Sequence, residues 1–248
     1  MYEKIKLKCK EISEAAISEN SIFKSDMLKL EEKNFILKDW NAFLMGLIAD
    51  QSVKVEVAWR LPYHLCCRLE HFDLNRLVNE ETIDSLEKII KTKPALHRYP
   101  RKMAEYIFSA SLNIINNYDG NIENLWKRDS NSQNVIKNLE KFKGISHKKA
   151  SLGALLLVRD LNVKLKNLEF IDIATDTHVK RVFLRMGLTN QDSNEDIVAK
   201  AKEINPEFPG ELTLPFWVVG RDFCRPLNPN CKECLLSEFC LQCKNSCD

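Results

Sequence analysis

Residues 139–150, LEKFKGISHKKA, decide the fold, because they predict the end of one helix, a tight turn at Gly144 and the start of a second helix. A turn placed just before a helix exposes backbone N–H groups at the positive end of the helix dipole, which makes an anion-binding site. Ser146 suits the position before the second helix, since serine is a good N-cap. Five lysines and one acid, Glu140, lie between Lys137 and Lys149. The same composition also fits a solvated basic helix end with no ligand.

Helical periodicity extends on both sides of this turn. Apolar residues follow i, i+3, i+4, i+7 spacing from Trp40 to Leu47 and again from Val179 to Met186. Glycine is scarce, at seven residues, and no β-hairpin signal is visible. The pattern predicts an all-α fold with helices at about 5–19, 38–49, 53–69, 81–92, 100–117, 132–142, 147–159, 176–187, 194–203 and 213–222. Residues 161–174 are predicted to form a long loop with extended pieces.

Composition narrows the class of protein. The 248 residues are 44% hydrophobic and 29% charged, so the chain can bury a core as one large domain or two lobes. The longest apolar run, residues 150–158, is far shorter than the ~20 residues of a transmembrane helix. The N-terminal residues carry alternating charges and no apolar segment, so no secretory signal is predicted. We therefore expect a cytoplasmic protein that does not bind membranes.

Nine cysteines are present, and six of them lie in the last 25 residues. The first four of these follow the spacing Cys224-x6-Cys231-x2-Cys234-x5-Cys240. Closely spaced thiolates repel one another unless a metal ion or cluster holds them, and a [4Fe–4S] cluster needs four. The alternative is a zinc site built from two CxxC pairs, which would use Cys243 with Cys240 as its second pair. The residues alone leave both possibilities open.

The cysteine spacing at the end of a helical chain resembles the iron–sulfur loop of endonuclease III and its relatives in the helix-hairpin-helix DNA glycosylase superfamily. Residues 217–224, WVVGRDFC, are also similar to the approach to that loop. The resemblance implies a [4Fe–4S] cluster held by the first four cysteines. Cys243 and Cys247 lie beyond the family's pattern, and the sequence gives them no role.

The turn at Gly144 resembles the hairpin of this family, although Ser146 stands where the family has a second glycine. In the lyase-competent members, the nucleophilic lysine follows that second glycine by two positions. The resemblance therefore implies that Lys148 is the nucleophile. Its place in the first turn of a helix, beside other basic residues, favours the neutral amine that attacks. Lys149 is the nearest competitor.

Residues 175–178, TDTH, resemble the family segment that carries the catalytic aspartate, which is Asp176 here. Taken alone, Asp176 reads as an N-cap for the periodic run that follows. In the catalytic interpretation, its carboxylate stabilises the positive charge that develops at C1′ as the base leaves. Asp176 follows Lys148 at a longer distance than is usual in endonuclease III. The extra residues fall within 161–174, where they could reshape the lesion pocket.

Further contacts with DNA are implied at several positions. Residues 47–52, LIADQS, look like the family segment whose glutamine enters the gap left by a flipped base, so Gln51 is the candidate for that role. His97 or Tyr99 could act as a wedge residue. Phosphate contacts are expected from the hairpin and from basic residues beside the cysteines, and the candidates are Lys143, Gly144, Ser146, Lys149, Arg225 and Lys232.

The resemblance implies two helical lobes with a DNA-binding cleft between them. We expect residues 37–159 to form a helical barrel that ends in the hairpin, and residues 1–36 with 160–248 to form the cluster domain. One nucleotide would be flipped out of double-stranded DNA, because C1′ is otherwise inaccessible. The protein is expected to act as a monomer associated with the nucleoid.

The implied reaction is removal of a damaged base, with an oxidised pyrimidine as the default substrate, followed by β-elimination through a lysine Schiff base. A mismatch or purine-lesion glycosylase of the same superfamily is the first alternative. A non-enzymatic DNA-binding module that contains zinc is the second.

Overall fold

The computed structural model describes residues 1–245, and every regular element in this range is a helix, which confirms the predicted all-α class. The α-helices are α1 Tyr2–Asn20, α2 Leu30–Lys38, α3 Trp40–Ala49, α4 Val55–Leu69, α5 Leu74–Glu80, α6 Ile83–Lys91, α7 Pro100–Tyr118, α8 Asn124–Arg128, α9 Ser132–Leu139, α10 His147–Arg159, α11 Thr177–Met186, α12 Asn194–Ile204, α13 Thr213–Asp222 and α14 Leu241–Asn245. Cys247 lies outside the described residues.

The strongly periodic helices match their predicted ranges, whereas α2, α5, α8 and α14 were not predicted. Two helix ends differ from their predicted positions, and each difference has a local cause. The predicted helix 38–49 begins at Trp40, because Asp39 caps α3 by accepting a hydrogen bond from the Asn41 N–H. The predicted helix 132–142 ends at Leu139, because the chain enters its turn there. None of the helices in residues 1–245 combines the length and the apolar character needed to cross a membrane.

The chain divides into two compact units. The first unit contains residues 1–20 and the chain from Ser151 onward, and the second contains residues 21–150. The sequence predicts these boundaries at 36/37 and 159/160, later than observed at both positions. The first difference has a clear cause, because the Phe23 ring packs 5.2 Å from the Trp59 ring and 6.3 Å from the Phe43 ring. Residues 21–36 therefore belong to the second unit.

The core of the second unit is built around α3. Every residue of this helix from Asn41 to Ala49 is buried, as its nearly uniform apolar sequence predicts. The rings of Phe43 and Trp59 lie 5.5 Å apart, and the Trp40 and Trp126 rings meet edge to face at 5.2 Å. Burial of aromatic surface on this scale holds α3 rigidly. The end of α3 consequently gives a fixed position to the segment that follows it.

The core of the first unit joins the N-terminal helix to the C-terminal half of the chain. Ile5 of α1, Val179 and Phe183 of α11, and Phe216 of α13 are all fully buried in one apolar cluster. The Phe183 and Phe216 rings lie 4.5 Å apart. The partly buried cysteines 224, 231 and 234 pack against the same cluster. This core therefore supports both α11 and the cysteine-rich segment.

Residues 161–174 form a loop with one short 3-10 helix, Leu168–Phe170, as predicted for a long loop. The loop is anchored within the first unit. Ile171 and Ile173 are buried, and the Ile171 carbonyl accepts a 2.8 Å hydrogen bond from the Gly210 N–H. Asp172 forms an ion pair of 2.9 Å with Lys202. The insertion is thus a packed segment that leads directly into Asp176.

Candidate functional site

The predicted turn is present between α9 and α10. The Phe142 N–H donates to the Leu139 carbonyl and the Ile145 N–H donates to the Phe142 carbonyl, each at 3.1 Å. Gly144 has a φ of +88°, and a Cβ built on it would lie 2.5 Å from the Tyr106 ring. Both the left-handed backbone and the lack of space require glycine. Phe142 and Ile145 are buried, so the turn is fixed to the second unit.

Gly144→Ala should therefore destabilise the second unit by about 2–4 kcal/mol, since it combines backbone strain with a steric clash. Gly120→Ala is the matched control, because Gly120 also has a positive φ, +77°, but has open space where its Cβ would be. We expect the control to lose about 1 kcal/mol. Urea unfolding followed by circular dichroism measures both. Equal losses of unfolding free energy in the two variants would show that the contact with Tyr106 does not contribute to the effect of Gly144→Ala.

The first turn of α10 carries the predicted nucleophile. Ser146 precedes the helix, and its carbonyl accepts a 2.8 Å hydrogen bond from the Ala150 N–H, which places it at the expected N-cap position. His147 and Lys148 are exposed. His147 Nδ1 lies 2.5 Å from a carboxylate oxygen of Glu140 on the other side of the turn. Lys148 is therefore accessible to a large substrate.

Lys149 has a different environment from its neighbour. It is half-buried, and its Nζ donates to the carbonyls of Ile48 and Gly144, each at 2.9 Å. Burial lowers the pKa of Lys149 to about 8, while the carboxylate of Asp50 opposes this shift. The side chain connects the hairpin turn to the end of α3. Lys149 is therefore the more buried of these two neighbouring lysines.

The end of α3 gathers several polar side chains, because the last carbonyls of a helix have no partners within it. Gln51 Nε2 donates to the Ile48 carbonyl at 2.9 Å, and His97 Nε2 lies 3.1 Å from the Ala49 carbonyl. Asp50 accepts a 3.3 Å hydrogen bond from the Trp59 indole, and burial raises the pKa of its carboxyl. The amide of Gln51, predicted to contact DNA, is bound to its own helix in this structure.

The coupling of Asp50 with Lys149 was missed by the sequence analysis. These residues are far apart in the chain. Asp50 lies in the segment that resembles the glutamine-bearing segment of the family, and Lys149 lies beside the predicted nucleophile. Lysine at 149 next to lysine at 148 gives no signal that one is half-buried and the other exposed. A carboxylate directly after the apolar helix α3 is the one local sign of a buried polar partner.

Lys149 should make stability depend on pH in the alkaline range. Its amine loses its proton near pH 8 in the folded protein but near pH 10.5 in the unfolded chain, so the unfolded chain binds more protons between these values. The contribution of Lys149 to the free energy of unfolding is thus fully present above about pH 10.5, and it is lost as the pH falls from there to about 8. The unfolding free energy of the wild type minus that of Lys149→Met should rise by roughly 2–3 kcal/mol across this window.

Lys141→Met is the control for this experiment, since Lys141 is exposed and makes a local hydrogen bond to Asn138. Denaturant unfolding at several pH values measures the wild type and both variants. A difference between wild type and Lys149→Met that stays constant with pH would contradict the described environment of Lys149.

The two wedge candidates are placed differently. His97 is 2% exposed, and its Nδ1 accepts a 3.0 Å hydrogen bond from the Tyr99 N–H, so Nε2 is the nitrogen that donates to Ala49. Burial lowers the pKa of His97. Tyr99 is 41% exposed, with the Arg98 guanidinium 5.5 Å from its ring centroid. Tyr99 is therefore the more accessible of the two candidates.

Asp176 caps α11, as the periodic pattern predicts. Its Oδ1 accepts a 2.8 Å hydrogen bond from the Val179 N–H, and the residue is half-buried. The preceding Thr175 is buried and donates to Asn194 at 2.9 Å. These contacts fix the carboxylate at the N-terminus of α11. The cap uses one oxygen, so Oδ2 is the oxygen that could act on a substrate.

Helix α11 also holds the start of the cysteine-rich loop through two arginines. Arg181 donates to the carbonyls of Cys224 and Gly220, each at 2.6 Å. Arg185 donates to the Arg225 carbonyl at 2.6 Å and lies 3.5 Å from the Cys224 sulfur. The sequence analysis did not identify this pair, although their i, i+4 spacing on a helix places them on one face. One rigid helix thus supports both Asp176 and the cysteines.

A cavity in the first unit is lined by cysteines 224, 231, 234, 240 and 243. Its remaining lining includes Val182, Met186 and Val219. The four cysteines predicted as ligands are therefore brought together. All four line the cavity, and within residues 1–245 no set of three or more Cys, His, Asp or Glu side chains is spaced to hold one metal ion.

The chemistry of this cavity fits an iron–sulfur cluster. Burial raises the pKa of the Cys234 thiol, and charge on Cys224, Cys240 and Cys231 raises it further. Several thiolates would repel one another in such an apolar pocket, and bound cationic iron removes that repulsion. The described cysteines are free thiols rather than disulfides. The donor set and its surroundings thus suit a group that needs four thiolates.

The remaining predicted DNA contacts are exposed. Lys143 lies next to the turn, and Arg225 and Lys232 lie within the cysteine-rich segment. Arg225 Nε donates to the Asp222 carbonyl at 3.2 Å, which orients its side chain. Their exposure makes all three available to phosphate groups.

No family model matches the chain. Over 69 residues it is 35% identical to endonuclease III of Thermotoga maritima, a match that covers 27% of this chain and 32% of that protein. The matched stretch thus spans about a third of the length of this relative.

Solved structures match over a much longer range. A trapped covalent endonuclease III–DNA intermediate has a TM-score of 0.66 at 17% identity, with 100% of this chain and 99% of that chain covered. A thermostable thymine-DNA glycosylase has a TM-score of 0.62 at 14% identity, with 97% and 99% covered. The 8-oxoguanine DNA glycosylase of Thermotoga maritima has a TM-score of 0.51 at 19% identity, with 89% and 98% covered. The chain has the fold of endonuclease III and related glycosylases.

Proposed function

We propose that this chain is a base-excision DNA glycosylase with AP lyase activity. The observation that carries the proposal is the placement of Lys148. It is an exposed lysine in the first turn of the helix that follows the Gly144 turn, in a chain with the endonuclease III fold. The local sequence similarity to endonuclease III gives independent support.

In the proposed reaction, the Lys148 amine attacks C1′ of the damaged nucleotide and the base departs. The nitrogen then loses a proton and the C1′–O4′ bond opens, with O4′ taking up a proton, so that a protonated imine forms at C1′. This imine withdraws electrons, so a proton leaves C2′ and the 3′ phosphodiester breaks by β-elimination, with the phosphate as the leaving group. Asp176 stabilises the positive charge at C1′ and transfers protons at the amine. Lys148 belongs to the second unit and Asp176 to the first.

Lys149 takes a supporting role in this proposal. Its Nζ is occupied by the carbonyls of Ile48 and Gly144, so it holds the turn against the end of α3. Lys148 keeps the role of nucleophile, which is implied by its place two positions after Ser146, where the family has its second glycine. Because the pKa of Lys149 is lowered to about 8, a neutral amine is also accessible at that residue, and the experiments below distinguish the two.

Cys224, Cys231, Cys234 and Cys240 would hold a [4Fe–4S] cluster. When bound, this group supplies a rigid cross-link that orders the surrounding loop. The protein's own residues then present Arg225 and Lys232, both exposed, to the DNA backbone. Arg181 and Arg185 attach the same loop to α11, the helix that Asp176 caps.

DNA docking would rest on phosphate contacts from the hairpin amides and the lysines near the turn. Lys143→Glu should weaken binding to damaged and undamaged duplexes alike, and should make the salt dependence of binding shallower by about one unit of slope. The control is Lys127→Glu, since Lys127 is exposed but lies on α8 and pairs with Glu123. Fluorescence anisotropy at several salt concentrations measures both. Unchanged affinity in Lys143→Glu would argue against docking at the hairpin.

The proposed substrate is an oxidised pyrimidine in duplex DNA, and the protein is proposed to act as a monomer. A mismatch or purine-lesion glycosylase is the second candidate, favoured by the fold likeness to a thymine-DNA glycosylase and an 8-oxoguanine glycosylase. The extra residues at 161–174 are packed against the first unit just before Asp176, where they could alter the choice of base.

The experiment is an incision assay on duplexes that each contain one lesion: an oxidised pyrimidine, 8-oxoguanine, a G·T mismatch or an abasic site. Products are separated with and without alkali, because a lyase cuts the strand by itself whereas a monofunctional glycosylase needs alkali. We expect incision without alkali at the oxidised pyrimidine and the abasic site. DNA binding without incision of any duplex would favour a non-enzymatic module, and zinc in place of iron would strengthen that conclusion.

A further inference from the structure

The second unit carries a basic groove that the proposed function does not use. It lies where the loop after α6 leads into α7, and the lining of this 91–102 groove includes Lys91, Arg98, Tyr99, Arg101 and Lys102. The sequence from Lys88 to Ala104 contains six basic residues and no aspartate or glutamate. Because the whole chain has a net charge of only +2, positive charge is concentrated at this surface.

Ion pairs neutralise one of the four cations that line the groove. Arg101 pairs with Asp84 and Glu87 of α6, the latter at 3.3 Å, and with Glu105 of α7 at 3.1 Å. Glu87 and Glu105 are the two acids of the groove lining, so both are bound to Arg101. Three exposed cations have no carboxylate partner within residues 1–245, and these are Lys91, Arg98 and Lys102. The groove therefore offers three positive charges to an anionic ligand.

The loop that contributes to the groove is held in place within the second unit. The Arg68 guanidinium donates to the carbonyls of Thr92 at 2.9 Å and Pro94 at 2.6 Å. The Arg98 guanidinium lies over the Tyr99 ring, 5.5 Å from its centroid. The backbone of the loop is thus fixed before a ligand arrives, which lowers the entropic cost of binding.

The same loop and the hairpin are both attached to the end of α3. His97 Nε2 lies 3.1 Å from the Ala49 carbonyl, and Lys149 Nζ donates to the preceding carbonyl, that of Ile48, and to Gly144 in the turn. Consecutive carbonyls of one helix therefore hold the loop of the groove and the hairpin turn. A small anion could occupy one of these two surfaces, whereas a long polyanion such as DNA can contact both.

We propose that the 91–102 groove is a second phosphate-binding surface, which holds the DNA backbone through Lys91, Arg98 and Lys102 in addition to the contacts of the hairpin. The inference rests on the proposed function, since it takes DNA as the substrate. These contacts do not depend on sequence or damage, because every nucleotide presents the same charged phosphate. Each contact releases counterions from the DNA, so the groove adds a salt-dependent part to the binding of any duplex.

The test is fluorescence anisotropy on an undamaged duplex at several salt concentrations, with far-ultraviolet circular dichroism as the folding check. The groove variant combines Lys91→Gln, Arg98→Gln and Lys102→Gln. At low salt it should bind roughly 10–100-fold more weakly than wild type, because three phosphate contacts are lost. The slope of log affinity against log salt concentration should become shallower by about 2–3 units.

Two further triple variants separate charge from structure. The first keeps the charge of the groove, with Lys91→Arg, Arg98→Lys and Lys102→Arg, and should bind like wild type. The second removes the same charge from exposed residues of the second unit that lie outside the groove, and it combines Lys29→Gln, Lys38→Gln and Lys127→Gln. It should also bind like wild type. Adding Lys143→Glu to the groove variant should multiply the two losses of affinity, because the groove and the hairpin make separate contacts.

A groove variant with the affinity and salt slope of the variant altered outside the groove would overturn the inference. A charge-keeping variant as weak as the groove variant would overturn it too, because the loss would then not follow charge. Failure of the proposed enzymatic activity would instead appear as lesion duplexes that are not incised, and these binding measurements do not depend on it because their duplex is undamaged. Wild-type protein that binds no duplex would overturn both.

Discussion

Lys148→Gln should abolish the covalent adduct that borohydride forms between the protein and DNA with an abasic site. A lysine that attacks C1′ forms an imine, and borohydride reduces this imine to a stable amine. Glutamine has no nucleophilic nitrogen, so both the adduct and strand cleavage should fall below detection. Because Lys148 is exposed, the variant should keep its fold and bind DNA with only a modest loss of affinity.

Lys149→Gln is the matched control for this prediction. It removes a neighbouring lysine of the same helix and breaks the bonds to Ile48 and Gly144, so it should lower stability while keeping the adduct. The reverse pattern, with trapping lost in Lys149→Gln and kept in Lys148→Gln, would assign the nucleophile to Lys149. Its lowered pKa, about 8, would then explain its reactivity.

Asp176→Asn should slow base release by roughly 10²–10⁴-fold, the range expected for a positioned acid–base group. Asparagine is as good an N-cap as aspartate, so its amide oxygen can still accept from the Val179 N–H. The variant should therefore lose less than about 1 kcal/mol of stability. Single-turnover measurements on an oxidised pyrimidine determine the rate of base release.

Asp73→Asn controls for the capping role of Asp176. Asp73 caps α5 by accepting from the Asn75 and Arg76 N–H groups, and it has no proposed part in the reaction. Its rate of base release should equal that of wild type. A rate for Asp176→Asn that also equals wild type would leave Asp176 as a helix cap and nothing more.

The regular part of the fold could be predicted because its signals are local. The helix α11 has Asp176 as its cap, a buried stripe from Val179 to Met186, and Gly187 with a φ of +72° just after its end. Each of these features is visible in the sequence. Helix α2 was missed, because its residues Glu31–Asn34 break the apolar pattern and its packing comes from the tertiary fold.

The site could be predicted where its residues lie at short intervals in the sequence. Four cysteines at short intervals indicated a shared cavity, and the structure places all four around one. Cys243 could not be assigned from spacing, since its place at the cavity depends on how α14 packs. The half-buried state of Lys149 depends on Ile48 and Asp50, which lie far from it in the sequence. Contacts of this kind arise only from tertiary packing.

The central claim is that a lysine of the hairpin attacks the sugar of a damaged nucleotide. The most direct test is to trap wild-type protein with borohydride on a duplex that contains one oxidised pyrimidine, digest the adduct and locate the modified residue by mass spectrometry. We predict a nucleotide-modified peptide in which Lys148 carries the sugar remnant. Incision of the duplex without any trapped peptide, or trapping at a residue outside the hairpin, would contradict the claim.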